Sequence, residues 1–258
     1  MDCFLSQASL THPIEANLNR PQTNLDRNAL LSLLQSYGKQ KSLQKARKLH
    51  TEIILHKKEM LHGDIYISNA LISMYVKCGA LDDAKEAFDE IRMRNVVSWT
   101  AFIAGYAHSG HADVVLRMYR RMTIKECIVP NLITFIIMLS ACSHAGLVEQ
   151  GEMLFNEMCF VYGLSPLLEH YTCMVDMFGR AGHFGKAEVL LDKVSHSGHL
   201  PLFMTTLGAC RKWNNVKLGK WAFEQSLQLD DNSAPVYVCM ENIYATAAKQ
   251  VGAYKIDS

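Results

Sequence analysis

Apolar residues in this chain follow a 3.6-residue period, and that pattern itself recurs along the sequence. Laid over one another, YVKCGALDDAKEAF, YAHSGHADVVLRMY, ACSHAGLVEQGEMLF and MFGRAGHFGKAEVLL align Gly79, Gly110, Gly146 and Gly182. The fainter copies SYGKQKSLQKARKLH and ACRKWNNVKLGKWAF put Lys41 and Asn214 in the same slot, so successive units are spaced by 38, 31, 36, 36 and 32 residues. Each unit predicts two short helices. In the second helix four apolar columns recur: Leu81, Ala84, Phe88 and Ile91; Ala112, Val115, Tyr119 and Met122; Val148, Gly151, Phe155 and Met158; Phe184, Ala187, Leu191 and Val194. Such a stripe marks one buried face.

The first helix carries two matching columns. One holds Leu34, Ile72, Ile103, Leu139, Val175 and Leu207, and the other Tyr37, Tyr75, Tyr106, Cys142, Phe178 and Cys210. The small column of the second helix continues through Ala46 and Gly219, which lets neighbouring helices approach closely. The Gly or Asn slot between helices suits a residue of positive φ just past a helix end. A helical hairpin of this kind cannot bury its apolar face alone, and stacking supplies the core. The predicted fold is all-α, a right-handed α-solenoid of about twelve helices.

Composition narrows the reading. The chain has 258 residues, 49% hydrophobic and 20% charged, with a net charge of +1. It therefore lacks the basic excess that would by itself announce a nucleic-acid partner. Residues 27–64 do carry a local excess of five positive charges, either a solvated helix face or a phosphate-attracting end. The eight cysteines show no CxxC spacing and read as reduced thiols, Cys142 and Cys210 facing the core. No apolar run approaches the roughly 20 residues a membrane span needs.

At this point SNALISMYVKCGALDDAKEAFDEIRMRNVVSWTAFIAGYAHSG, PNLITFIIMLSACSHAGLVEQGEMLFNEM and EHYTCMVDMFGRAGHFGKAEVLL resemble the plant pentatricopeptide repeat family, in its subclass of alternating long, short and standard motifs. The resemblance divides the chain into repeats at about 27–64, 65–95, 96–131, 132–167 and 168–199. Residues 1–26 form a poorly ordered leader. Residues 200–248 resemble the E-type extension of that subclass, with helices like those of tetratricopeptide repeats. Residues 249–258 form a divergent tail, a truncation, splice variant or frame change, with no DYW-type deaminase domain.

The resemblance implies a single-stranded RNA-binding protein that reads one base per repeat. Its implied task is site recognition in organellar RNA processing such as C-to-U editing, with catalysis supplied in trans by a deaminase-bearing or editing-factor partner. No cofactor, metal, membrane or small-molecule substrate is implied. The family's reading positions fall on Asn69 and Asn95, a pair favouring pyrimidines, cytosine over uracil, then on Thr100 and Asn131, favouring adenine, and on Thr172, paired incompletely with His199. The pairs Leu31 with Asp64 and Ile136 with Leu167 are expected to space or stack. Met204 is not expected to read a base. Ile67 is assigned to base stacking, in a column with Ser98, Thr134 and His170. Asn and Thr near helix starts are equally explained by helix capping, and both readings stand.

Enzymatic readings fare worse. His50-Thr51-Glu52 matches the HxE half of a zinc deaminase, but no CxxC completes it, and His50 falls in the bulky core column. His108/His111 and His196/His199 lack a third ligand and read as surface histidines. The family implies a mitochondrion or chloroplast, although the first 26 residues, with Asp2, Glu15 and Asp26 against Arg20, do not have a transit-peptide composition. Two alternatives remain, a peptide-binding solenoid of tetratricopeptide type and a truncated non-functional fragment.

Overall fold

The computed structural model describes residues 26–194 and 199–254. Among them are thirteen α-helices, two π-helical turns and no strand, so the chain is an all-α helical-repeat solenoid. In order, the helices are α1 Arg27–Gln40, α2 Leu43–Gly63, α3 Ile65–Lys77, α4 Leu81–Asp89, α5 Val96–His108, α6 Ala112–Arg120, α7 Leu132–Ala145, α8 Val148–Asn156, α9 Leu168–Ala181, α10 Phe184–Val194, α11 Leu200–Trp213, α12 Val216–Leu227 and α13 Ala234–Tyr254. Six hairpins account for the twelve expected helices, and α13 adds one, running through the expected boundary at Ala248. Residues 1–25 of the expected 1–26 leader, residues 255–258 of the expected tail, and His196 lie outside the described residues. Among the described residues no helix is long and apolar enough to cross a membrane.

The turn slots all adopt the left-handed region: Gly79, Gly110, Gly146 and Gly182 have φ of 70–79°, and Lys41 and Asn214 have φ of 52° and 56°. Behind each, the chain closes with the helix-end hydrogen bonds that a positive φ permits, as where Ala80 N donates to Tyr75 O and Leu147 N to Cys142 O. One stereochemical switch, repeated six times, therefore sets where each hairpin turns.

The chain divides into two compact units, residues 1–102 and 103–258. In the first, Leu34, Tyr37, Ala46, Ile72, Tyr75, Ala84 and Phe88 are buried, and Phe88 stacks on Phe102 and meets Trp99 edge-on. A bidentate ion pair ties α2 to α4, with Arg47 Nε and Nη2 2.9 and 2.8 Å from the two Asp83 oxygens. In the second unit the core runs through Val175, Leu191, Leu207 and Cys210 to Val236, Met240 and Ile243 of α13. Burial pushes the Cys142 thiol up to about 11 and those of Cys173 and Cys210 up to about 12, which makes them core groups and poor nucleophiles.

The difference between the 36-residue repeats and the 31-residue one has a local cause. After α6 and α8 the helix widens into a π turn, Arg121–Lys125 and Glu157–Val161, each closed by the same bonds: Glu126 N to Arg121 O and Ile128 N to Met122 O, then Tyr162 N to Glu157 O and Leu164 N to Met158 O. The 31-residue repeat has none. There Arg94 folds back, its Nε and Nη2 donating to Phe88 O and Asp89 O, and its guanidinium covers the Phe88 ring at 4.7 Å.

Close approach is least forgiving where α9 crosses α11: a Cβ on Gly179 would lie 2.5 Å from Ala209 Cβ. A Cβ on Gly151 would meet only the movable end of Met177, at 2.4 Å. Gly179→Ala is expected to lower stability by about 1–2 kcal/mol in urea unfolding, because overpacking outweighs the roughly 1 kcal/mol that alanine gains in a helix interior. Gly151→Ala should stay within about 1 kcal/mol of the parent, since methionine repacks readily.

Candidate nucleic-acid interface

Two of the first helices, α5 and α7, start on one device, and α3 and α9 each keep part of it. The residue before the helix caps it, and the residue three positions on returns a bond to the cap's backbone. Asn131 Oδ1 accepts from Thr134 N at 2.9 Å, and Asn131 N donates to Thr134 Oγ1. Asn95 Oδ1 accepts from Ser98 N at 3.0 Å, and Asn95 N donates to Ser98 Oγ. Before α9 the same place is held by Leu167, whose N–H donates to His170 Nδ1 at 3.0 Å. Asp64 caps α3 through Tyr66 N and is also ion-paired to Arg27, whose guanidinium holds the Asp64 carboxyl below the usual carboxylate range.

The device explains the expected reading positions unevenly. Asn95 and Asn131 are caps, as the capping reading requires, but a cap occupies only Oδ1, and Nδ2 keeps both donors. Asn69, one turn inside α3, is half-buried, and its Oδ1 has no hydrogen-bond partner. Thr100 is half-buried on α5. Thr172 donates to Leu168 O at 2.9 Å and lies 3.4 Å from His199 Nδ1, so this pair does come together. In the spacer repeats Leu31 and Ile136 are half-buried, and Leu167 is exposed.

Base stacking is where the structure departs from expectation. Ile67 is 0% exposed, as are Ser98, Thr134 and His170 in the same column. These residues sit at the helix position that turns inward to serve the cap, and they offer no face to a ligand. The exposed apolar row lies one residue earlier: Tyr66 at 65%, Val97 at 52% and Ile133 at 59%. Arg27 covers one face of the Tyr66 ring at 4.9 Å. Solvent-facing apolar residues next to polar reading positions were the signal in the sequence. The inward column drew attention because it alternates with the readers.

Other candidates settle elsewhere. His50 lies between α2 and α3, with Nδ1 3.0 Å from Tyr75 Oη, and burial lowers its basicity. His108 and His111 are exposed, and no group of three metal-ligating side chains exists among the described residues. Of the basic excess in 27–64, Arg27 and Arg47 are taken by Asp64 and Asp83.

Stacked helical hairpins with polar groups at one end of every first helix define a helical-repeat protein. Residues 94–144 match the family model described as PPR repeat family, and residues 66–96, 133–159 and 169–199 match that described as PPR repeat, so the hairpins between α3 and α10 match pentatricopeptide repeats. A chloroplastic pentatricopeptide repeat-containing protein of Arabidopsis thaliana is 40% identical over 218 residues, 84% of this chain and 25% of its own. A mitochondrial one from the same plant is 39% identical over 186 residues, 72% of this chain and 29% of its own. The chain thus spans less than a third of these relatives. Among solved structures, the pentatricopeptide repeat protein PPR10 from maize is similar with a TM-score of 0.63 at 16% identity, over 90% of this chain and 32% of that one. PPR10 in complex with an 18-nt psaJ RNA element gives 0.66 at 16% identity, over 85% and 33%.

His170 makes the cap device pH-sensitive. Its Nδ1 accepts from Leu167 N, so Nε2 carries the proton and donates to Leu132 O at 3.0 Å; burial lowers the ring below its ordinary 6.5. The unfolded chain therefore takes up the proton first. Stability is complete above about pH 6.5 and declines below it. The urea midpoint should fall from about pH 7 to about pH 5, with a shallower fall in His170→Gln, whereas an unchanged slope would assign the effect to another group.

Proposed function

We propose that this chain binds single-stranded RNA sequence-selectively, as part of organellar RNA processing such as C-to-U editing, with catalysis supplied by another protein. The observation that carries this reading is the exposed row at the first-helix starts. Tyr66, Val97 and Ile133 offer apolar faces beside polar residues at the reading positions Asn69, Asn95, Thr100, Asn131 and Thr172. Stacking on such faces contributes about 1–3 kcal/mol per base, and amide edges supply the donors and acceptors that distinguish bases. The RNA bound by PPR10 supports the class of ligand, and the plant relatives named chloroplastic and mitochondrial support an organelle. Residues 200–248 are assigned to the E-type extension on sequence resemblance.

Capping and base reading can be separated at one residue. Asn95→Asp keeps the cap acceptor and removes the Nδ2 donors. It should leave thermal stability within about 0.5 kcal/mol and change which pyrimidine a short RNA must carry for tight binding in an electrophoretic shift assay. Tyr66→Ala should weaken all such RNAs by about tenfold, the loss of one stacked base. Equal binding of permuted RNAs, unaffected by either substitution, would reject the reading.

A further inference from the structure

The exposed apolar row at the helix starts changes character at the first hairpin. Tyr66 and Val97 hold the second position of their repeats, and in the repeat before them that position is Asn28, exposed and polar. The same hairpin supplies a cover instead. Arg27, the first residue of α1, reaches the start of α3 and places its guanidinium 4.9 Å from the centre of the Tyr66 ring. Two bonds hold it there: Nε and Nη2 donate to the two oxygens of the Asp64 carboxylate, the second at 3.3 Å. Asp64 is itself fixed, because its Oδ1 accepts from Tyr66 N at 3.0 Å as the cap of α3. Ring, cap and guanidinium form one closed unit, in which the residue that carries the ring also anchors the carboxylate that holds its cover. Tyr66 nevertheless stays 65% exposed, so one face is covered and the other is open to solvent.

Magnitudes decide what the cover does. A base stacked on an aromatic ring gains about five- to a hundredfold in affinity. To reach the covered face, a base must first displace an exposed cation–π contact and an exposed ion pair, each worth a factor of about two to five. Together these losses offset most of the gain. On the open face nothing has to be displaced.

We propose that Arg27, held by Asp64, closes one face of Tyr66 and interrupts the stack of bases at that ring: Tyr66 takes a base on its open face, and none is held between it and the first hairpin. The inference rests on the reading that Tyr66 stacks a base of single-stranded RNA. Arg27 is a positioning residue. It touches no base and sets where the stack is interrupted, and with it the register of the bases over Asn69 and Asn95.

Short RNAs with a cytidine–adenosine core in uridine flanks test this against the full chain. One flanking nucleotide at a time is replaced by 2-aminopurine, whose fluorescence falls on stacking. On the Tyr66 side, quenching on binding should stop at the nucleotide whose signal Tyr66→Ala removes, and one further nucleotide should leave the affinity unchanged. Arg27→Gln uncovers the ring without touching the cap of α3. Quenching should then extend one nucleotide further, and that nucleotide should add about fivefold in affinity. Asp64→Asn keeps the cap acceptor but frees the guanidinium, and should move the limit the same way; a role in capping alone would move neither. Quenching that stops at the same nucleotide in the parent and in Arg27→Gln overturns the proposal. So does quenching beyond Tyr66 in the parent that Arg27→Gln removes, which would make Arg27 itself a platform, and so does a uniform loss of affinity with no new quenched position, which would make it a phosphate contact. These outcomes leave the reading of Tyr66 standing, whereas quenching at no position in any variant overturns that reading and the proposal with it.

Discussion

No hairpin in this chain can cover its own apolar stripe, and everything else in the structure follows from that shortage. The second helices are only nine to twelve residues long from α4 through α12, below the length at which an isolated helix holds together in water. They persist because Ala84, Val115, Ala187 and Ala222, each almost wholly buried, are covered by neighbours. Stability of such an array is a sum over hairpins and the contacts between them. The positive-φ slots make those contacts possible by ending each first helix at the same phase, so that the stripe of the second always returns to the same side.

The same economy governs the helix starts. A capping asparagine uses the oxygen of its amide to hold a helix and leaves the Nδ2 donors unused by the cap. Under the proposed reading, structure and recognition are therefore not competing explanations of Asn95 and Asn131, since the cap would fix the rotamer that a base meets. Pre-orientation of this kind lowers the ordering cost of binding. It also explains why the column three residues on is polar at Ser98, Thr134 and His170 although all three are fully buried: each satisfies a backbone N–H that would otherwise be stranded.

Much of this was legible in the sequence, because periodicity reports on burial. The columns through Leu34, Ile72, Leu139 and Leu207, and the turn slot including Lys41 and Asn214, stand in the structure as the spacing predicted. Two features were not legible. The π turns leave no separate periodic trace, since each takes in the last residue of the stripe, Met122 or Met158, and adds its extra residues beyond it. Ile67 looks like a ligand-facing isoleucine in sequence, and only its burial in the structure shows that its position turns inward while Tyr66 stays outside.

Two ion pairs between second helices differ in sense: the earlier helix gives the cation at Arg47–Asp83 and the anion at Glu152–Lys186. These two junctions are thus keyed, as the teeth of two different connectors are. Were the α10 hairpin transplanted behind α2, Lys186 would face Arg47, two like charges at a boundary that now attracts. The hairpins share one shape and are still not interchangeable modules, so recombining them to build new arrays requires matching these junctions as well as the apolar columns.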